Sequence, residues 1–217
     1  MPGVPLIDFD ISHDSQQVAF TARSGSDFQI FMAPLDGSAP PRPVVGGGDS
    51  VNFGRAGELI FWQLGKRFSY LARIKTDGTG LERILPLLQM GFVSPDGNWA
   101  SIGSFELQGT ALLSLKDRTQ KLICPKDCKP RWSADGAYLY VRMNPLPADA
   151  KPTLIFPIPP GAGVPAFPEK GLGPYADQEL VGVPKIRESW PAPGPDPQTY
   201  AFEKSEFVAN LFRIPLH

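Results

Sequence analysis

Residues 92–102 read FVSPDGNWASI and residues 131–141 read RWSADGAYLYV, and these two stretches decide the fold. Each contains an apolar residue, an Asp-Gly turn and a second run in which apolar residues alternate. An Asp in such a turn accepts hydrogen bonds from backbone N–H groups, and the Gly after it tolerates positive φ. Alternation with a period of two predicts a half-buried strand. Each stretch therefore predicts a β-hairpin.

The hairpin pattern recurs along the chain. It is found at residues 10–20 (DISHDSQQVAF), at 52–62 (NFGRAGELIFW) and, in a weaker form, at 192–202 (APGPDPQTYAF). The turn-ending residues Ser15, Gly57, Gly97, Gly136 and Pro197 are 42, 40, 39 and 61 residues apart. A period near 40 is typical of propeller blades. The second strands carry the alternating pairs Val18/Phe20, Ile60/Trp62, Ala100/Ile102, Leu139/Val141 and Tyr200/Phe202.

Each unit continues with two more predicted strands. The third strands read QIFMAPLDG, YLARIKTDG, TALLSLKD, TLIFPIPPG and NLFRIPLH, the last at residues 210–217. Outer fourth strands are expected at Arg42–Val45, Leu81–Leu85, Gln120–Cys124 and near Glu179–Val183. A four-stranded antiparallel sheet cannot bury both faces by itself, whereas blades stacked around an axis can. The sequence predicts an all-β propeller of about five four-stranded antiparallel blades, either closed through Gly3–Leu6 or left as an incomplete, open ring.

The repeats fill the chain, so residues 1–217 are expected to form a single β-propeller domain. Residues 157–195 are rich in Pro and Gly and are predicted to be an insertion on one propeller face. Residues 46–48 are a run of three glycines, which we expect to be a flexible loop between blades.

Composition restricts the partners. The formal net charge is −1 and no block of Lys or Arg occurs, which argues against a nucleic-acid or membrane-surface role. No apolar run is long enough to span a bilayer, so no membrane insertion is expected. The N-terminal MPGVPLIDFD lacks the features of a signal peptide.

The motifs SPDGNWASI and WSADGAYLYV resemble TolB-like (WD40-like) β-propeller repeats, and the resemblance covers nearly the whole chain. Residues 193–217 resemble the C-terminal end of propeller segments in larger bacterial proteins, where the propeller follows a serine/threonine kinase domain or a winged-helix regulator. The resemblance implies a sensor or interaction segment of a signalling or regulatory protein. Five units are fewer than the six or more blades usual in the family.

Cys124 and Cys128 form the motif CPKDC. A disulfide, two free thiols and half of a metal site are the three interpretations. A metal site is disfavoured because no second Cys/His pair completes it. A disulfide would favour an extracytoplasmic location, and free thiols a cytoplasmic one. The compartment otherwise stays open.

No catalytic set is recognisable in the sequence. His13 and His217 are the two histidines, and there is no GxSxG nucleophile motif. Asp8 and Asp10 are too few carboxylates for a calcium loop and are expected on the first inner strand. We therefore predict no enzyme activity, no metal and no cofactor.

Polar residues on the inner strands are the candidates for binding. Asp10, Asn52 and Arg131 each precede the last apolar residue of an inner strand and occupy equivalent repeat positions. The predicted function is a non-catalytic module that binds a protein or a small molecule at the channel mouth. The alternatives are an accessory propeller of a prolyl-peptidase-type hydrolase and a fragment of a polysaccharide lyase; a lyase of that kind requires a histidine-rich metal cluster.

Overall fold

The computed structural model describes residues 6–25, 27–55, 57–126, 128–143, 152–173, 176, 180–187, 191–194 and 196–202. The first blade consists of β1 (Leu6–Ile11), β2 (Gln17–Ser24), β3 (Asp27–Pro34) and β4 (Arg42–Gly46). The second consists of β5 (Gly48–Phe53), β6 (Glu58–Gln63), β7 (Tyr70–Lys75) and β8 (Glu82–Pro86). Each blade is an antiparallel meander with its strands paired in chain order.

The third and fourth blades repeat this arrangement. They consist of β9 (Gln89–Val93), β10 (Trp99–Ser104), β11 (Gly109–Ser114) and β12 (Gln120–Cys124), and of β13 (Cys128–Trp132), β14 (Tyr138–Met143), β15 (Thr153–Pro157) and β16 (Lys185–Ile186). A two-stranded sheet of β17 (Ala192–Pro193) and β18 (Tyr200–Ala201) begins the fifth unit. The predicted all-β propeller is confirmed, with four four-stranded blades among the described residues. The strand expected at 210–217 and most of the closing segment Gly3–Leu6 lie outside them.

The hydrophobic core is divided among the spaces between blades. Ile30 and Met32 of the first blade pack with Leu59 and Phe61 of the second. The neighbouring residue Ile60 instead packs with the third blade. A second-blade strand therefore buries both faces, which explains why LIFW is a continuous apolar run. Further core residues between the third and fourth blades include Leu112, Ile123, Leu139 and Leu154.

The second hairpin is one residue tighter than the first. The N–H of Gly54 donates to the carbonyl of Glu58, whereas the N–H of Ser12 donates to that of Gln17, one residue further along. In the strand register, Leu59 pairs with Phe53 as Val18 pairs with Ile11. The structural equivalents of Val18 and Phe20 are thus Leu59 and Phe61, and the predicted match with Ile60/Trp62 is wrong by one residue.

Two further predictions about connections are wrong. The glycine run is no flexible loop: β4 ends at Gly46, β5 begins at Gly48, and Gly47, with a φ of 69°, is the whole junction. A Cβ on Gly48 would lie 2.6 Å from Cδ1 of Ile30, so glycine allows the two blades to approach. The fourth outer strand is Lys185–Ile186 and not Glu179–Val183, because the chain turns at Val181–Gly182 before pairing with β15.

The remaining predicted outer strands agree with the structure to within one residue at each end. No helix among the described residues is long and apolar enough to cross a membrane. The segment after β15 contributes to the core, since Val164 and Leu172 are buried in the cluster of the fourth blade. That residues 157–195 are an insertion stays a prediction.

Candidate functional site: the channel cavity

The inner strands of the four blades surround an open cavity of about 1050 Å³, which we call the channel cavity. Most of its lining comes from the C-terminal ends of β1, β5, β9 and β13 and from the turns that follow them. Met32 of β3, Arg42 of β4, Thr76 and Pro193 of β17 also contribute. Asp10, Asn52 and Arg131 all lie on its wall, so the structure brings the three predicted binding residues together. Their role in binding stays a prediction.

Asp10 uses its carboxylate to join two blades. Its Oδ2 accepts a hydrogen bond of 2.8 Å from the backbone N–H of Phe53, the last residue of β5. Burial raises the pKa of Asp10, while the N–H groups of Phe53 and Ile11 and the charge of Arg131 lower it in part. Asp10 therefore has a structural role that the sequence did not reveal.

Asn52 makes the same connection one blade further on. Its Oδ1 accepts a hydrogen bond of 3.2 Å from the backbone N–H of Val93, and its Nδ2 donates to the carbonyls of Ser50 and Gly91. The acceptor side chain at this repeat position binds the N–H that follows the equivalent position in the next blade. We call this contact the interblade bridge.

The repeat position occupied by Asp10 and Asn52 is called the bridge position. The third and fourth blades carry different residues there. Phe92 occupies it in β9 and Arg131 in β13, and neither side chain can accept an N–H hydrogen bond. The guanidinium carbon of Arg131 instead lies 4.7 Å from the centre of the Phe92 ring. An arginine over an aromatic face at this distance makes a cation–π contact.

A β-bulge orients Phe92. The register between β9 and β10 shifts between Ala100 and Ile102. At this shift, the hydroxyl of the buried Ser101 accepts from the N–H of Phe92 and donates to its carbonyl. Bulges re-aim side chains in this way. Phe92 is 40% exposed and lies on the cavity wall.

Arg131 differs from the other two arginines of the cavity. Arg42 donates to the carbonyl of Thr76, and Arg55 donates to Oδ1 of Asn98. Within the part of the chain that the structure describes, the Arg131 side chain makes no hydrogen bond or ion pair. Partial desolvation at the cavity wall lowers the pKa of Arg131, and the charges of Asp10 and Asp8 raise it. Arginine nevertheless stays protonated, so a cation with unused donors faces the cavity.

Asp8 and Asp10, both on β1 as expected, place negative charge near this cation. Burial raises the pKa of Asp8, the N–H of Phe9 lowers it, and Asp49 and Asp10 raise it further. The channel cavity thus combines an acidic inner strand with Arg131, which supplies charges of both signs to a ligand.

The turns at the cavity rim repeat one hydrogen-bond network. Ser133 donates its hydroxyl proton to Asp135 over 2.6 Å and accepts from the N–H of Tyr138 over 3.0 Å. Equivalent bonds join Ser12 to Asp14 and Ser94 to Asp96. For Asp14 and Asp135 the serine hydroxyl is the main cause of a lowered pKa. These carboxylates remain ionised and occupied by their own turns.

The predicted cysteine pair is a disulfide. Cys124 ends β12, Cys128 begins β13, and the bond between them ties the third blade to the fourth. Both residues are almost fully buried. His13 lies exposed on a rim turn, and His217 lies outside the described residues. No group of three metal-ligating side chains occurs among the described residues.

Phe92 is the cavity residue that the sequence analysis missed. The residues predicted to bind are polar, whereas Phe92 is apolar. The available signal was its place in the repeat, one residue before Val93, where the other blades carry Asp10, Asn52 and Arg131.

The fold is similar to those of known propellers. TolB from Acinetobacter baumannii superimposes with a TM-score of 0.59 at 12% identity, covering 77% of this chain and 45% of that one. A putative TolB from Agrobacterium tumefaciens gives 0.54 at 12% identity, covering 82% and 63%. The chain has a TolB-like β-propeller fold. It spans about half to two thirds of the length of these TolB chains.

This TolB-like fold also occurs in peptidases. The β-propeller domain of the Trilobed protease from Pyrococcus furiosus, described as having an open Velcro topology, gives a TM-score of 0.50 at 13% identity and covers 70% of this chain and 54% of that one. No protein-family model and no curated protein matches the sequence. At such low identity the likeness establishes the fold alone.

Proposed function

We propose that this TolB-like propeller is a non-catalytic interaction module of a larger bacterial signalling or regulatory protein, and that it binds a segment of a partner protein in the channel cavity. The observation that carries the proposal is the pairing of Phe92 and Arg131 on the cavity wall. Aromatic residues and arginine are enriched where binding energy is concentrated in protein interfaces. The cavity volume of about 1050 Å³ accommodates several residues of a partner chain.

The chemistry of the rim favours binding over catalysis. The hydroxyls of Ser12, Ser94 and Ser133 donate to aspartates of their own turns. The pKa of the neighbouring Asp14 is lowered, which removes it from the range useful for proton transfer near neutral pH. These groups stabilise turns and carry no feature of an activated nucleophile.

The disulfide supports an extracytoplasmic location as part of the proposal. Disulfides persist in oxidising compartments and are uncommon in the bacterial cytoplasm. Blocking free thiols in whole cells before lysis tests this point. We expect Cys124 and Cys128 to be recovered unmodified and bonded; recovery of both as blocked thiols would place the chain in the cytoplasm.

The proposed function is tested by selecting peptides from a phage-displayed library on the full chain. We expect selected peptides to lose binding to Arg131→Gln and Phe92→Ala. The matched control is Arg67→Gln, because Arg67 also lies over a phenylalanine, Phe68, but outside the channel cavity. Peptides that bind all three variants as well as they bind the unmodified chain would show that the cavity is not the interaction site.

The alternative, an accessory propeller of a hydrolase, is favoured by the likeness to peptidase propellers. A peptidase assay distinguishes this alternative from the interaction module, because the interaction module is expected to leave a panel of fluorogenic peptides uncleaved. A lyase fragment is separated by metal analysis of the purified chain. Peptide turnover above background, or stoichiometric metal together with cleavage of a uronate polymer, would replace the proposal.

A further inference from the structure

Arg131 lies at the bridge position but differs in chemistry from the residues that form the interblade bridge. In the first two blades this position carries an acceptor, Asp10 or Asn52, whose oxygen binds the N–H of the next blade. An arginine has five donors and no acceptor, so it cannot form the interblade bridge. The bridge is absent here on both sides, because Arg131 has no acceptor and the residue of the fifth unit equivalent to Phe53, Pro193, has no N–H to donate. The guanidinium of Arg131 is therefore available to the cavity.

The surroundings of Arg131 hold it in place without using its donors. Its guanidinium lies over the ring of Phe92, and Phe92 is itself fixed by two hydrogen bonds to Ser101. Arginine can stack on an aromatic face and still present its planar fork of N–H groups to a carboxylate. A cation that is already ordered loses less conformational entropy when a ligand binds.

The charges near Arg131 restrict the ligand further. Asp8 and Asp10 act on it electrostatically without an ion pair. Asp10 is committed to Phe53 through Oδ2. A ligand with several negative charges would be repelled by these two carboxylates, whereas a single carboxylate can approach the guanidinium. The planar fork also matches a carboxylate bidentately.

We propose that Arg131, supported by Phe92, binds a carboxylate of the partner segment; this inference rests on the proposed function. The carboxylate is either the C-terminus of the partner chain or an Asp or Glu side chain within it. Both sources present the same planar group with a single negative charge, and the experiment distinguishes them.

The test uses three small probes on the full chain labelled with ¹⁵N. They are N-acetyl-Ala-Ala-Ala with a free carboxylate, the same peptide as its C-terminal amide, and N-acetyl-Ala-Glu-Ala-amide. Amide shifts of the cavity residues are followed up to about 10 mM probe, because one charged contact supports only weak affinity. Inorganic phosphate is titrated in parallel as a general anion.

We expect the free acid, the glutamate peptide or both to shift the amides around Phe92 and Arg131, and the uncharged amide to bind about 10- to 100-fold more weakly. Arg131→Gln should remove this difference, and Arg67→Gln should retain it. A shift with only the free acid identifies a C-terminus as the source, and a shift with only the glutamate peptide identifies a side chain.

Three results would overturn the carboxylate assignment. They are equal binding of the acid and the amide, equal binding of phosphate, and no shift with any probe. The peptide selection described above decides the proposed function independently. If selected peptides need the cavity but bind equally well without any carboxylate, only the present inference fails.

Discussion

The carboxylate of Asp10 lies 2.8 Å from the backbone nitrogen of Phe53 and accepts its hydrogen bond across the boundary between the first and second blades. Phe53 is the last residue of β5, so this bond fixes the inner end of the second blade relative to the first. A residue selected from the sequence as a candidate for ligand binding is thus also part of the framework of the propeller.

Replacing Asp10 with Ala is expected to lower the free energy of unfolding by about 1–3 kcal/mol, because the N–H of Phe53 loses its acceptor in a partly buried place. Asp10→Asn keeps an oxygen acceptor and should lose less. Urea denaturation followed by tryptophan fluorescence measures both. Equal stability of Asp10→Ala and the unmodified chain would mean that water replaces the interblade bridge without loss.

Asn52→Asp is expected to destabilise the fold although its shape is nearly unchanged. The Oδ1 of Asn52 accepts from the N–H of Val93, but its Nδ2 donates to the carbonyls of Ser50 and Gly91. A carboxylate would face these two carbonyls without a proton, at a cost of about 1–3 kcal/mol. Thermal unfolding at neutral pH measures the loss, and most of it should be recovered at acidic pH, where the carboxyl group is protonated and donates again.

Ser133→Ala should weaken the turn between β13 and β14. The Ser133 hydroxyl is fully buried, donates to Asp135 and accepts from the N–H of Tyr138. Its loss is expected to cost about 1–2 kcal/mol of unfolding free energy. Ser12→Ala is the matched variant, because Ser12 makes equivalent bonds in a more exposed turn and should cost less. A larger loss at Ser12 would contradict the dependence on burial.

Reduction of the disulfide between Cys124 and Cys128 is expected to lower the unfolding free energy by about 2 kcal/mol, the chain-entropy value for a loop this short. Because both sulfur-bearing residues are buried, reductant should act slowly on the folded chain and rapidly in denaturant. Thiol titration over time measures the rates. Equally fast reduction in both conditions would indicate that the connection between the third and fourth blades opens in the native state.

Asp8→Asn is expected to stabilise the protein at neutral pH. Burial first, and then Asp49 and Asp10, raise the pKa of Asp8 above its ordinary 3.8, so the folded chain binds this proton more tightly than the unfolded chain does. Stability contributed by this group therefore falls as pH rises from 3.8 through the raised pKa, and the ionised form is unfavourable above it.

The free energy of unfolding, measured across the pH range, tests whether the ionised carboxylate of Asp8 destabilises the fold. The advantage of Asp8→Asn over the unmodified chain should disappear as the pH falls below 3.8. Asp36→Asn is the opposite control, since hydrogen bonds from Ser38 lower the pKa of Asp36 and its loss should not stabilise the fold. A loss of stability in Asp8→Asn at neutral pH would show that Asp8 is compensated by a favourable contact with Arg131.

The repeat allowed the architecture to be predicted from local chemistry. Ile11, Phe53, Val93 and Trp132 mark the ends of inner strands, and the turns after them are of fixed length except in the second blade. These features depend on neighbours within one blade. The predicted strand at 179–183 was wrong because β16 is only two residues long and depends on pairing with β15, which the local pattern does not encode.

The roles of the cavity residues depend on contacts between blades, and the sequence could not supply them. The equivalence of Asp10, Asn52 and Arg131 was visible, but not which backbone N–H each would approach. The pairing of Phe92 with Arg131 follows from a bulge in β9 and from the relative placement of two blades. A single sequence shows which residues occupy equivalent repeat positions, but it does not show which of them come into contact across neighbouring blades.

The unequal connections before and after β4 have a practical consequence for protein engineering. Gly47 leaves no spare residue between β4 and β5, so an insertion there would separate the two blades. The hairpin between β3 and β4 is instead exposed from Leu35 to Pro40, and Arg42, just beyond it, reaches the channel cavity. A fluorophore attached at Ser38, in this exposed hairpin, would leave the Gly47 junction undisturbed, and a change in its emission when a ligand is added would test whether occupancy of the cavity is transmitted through Arg42.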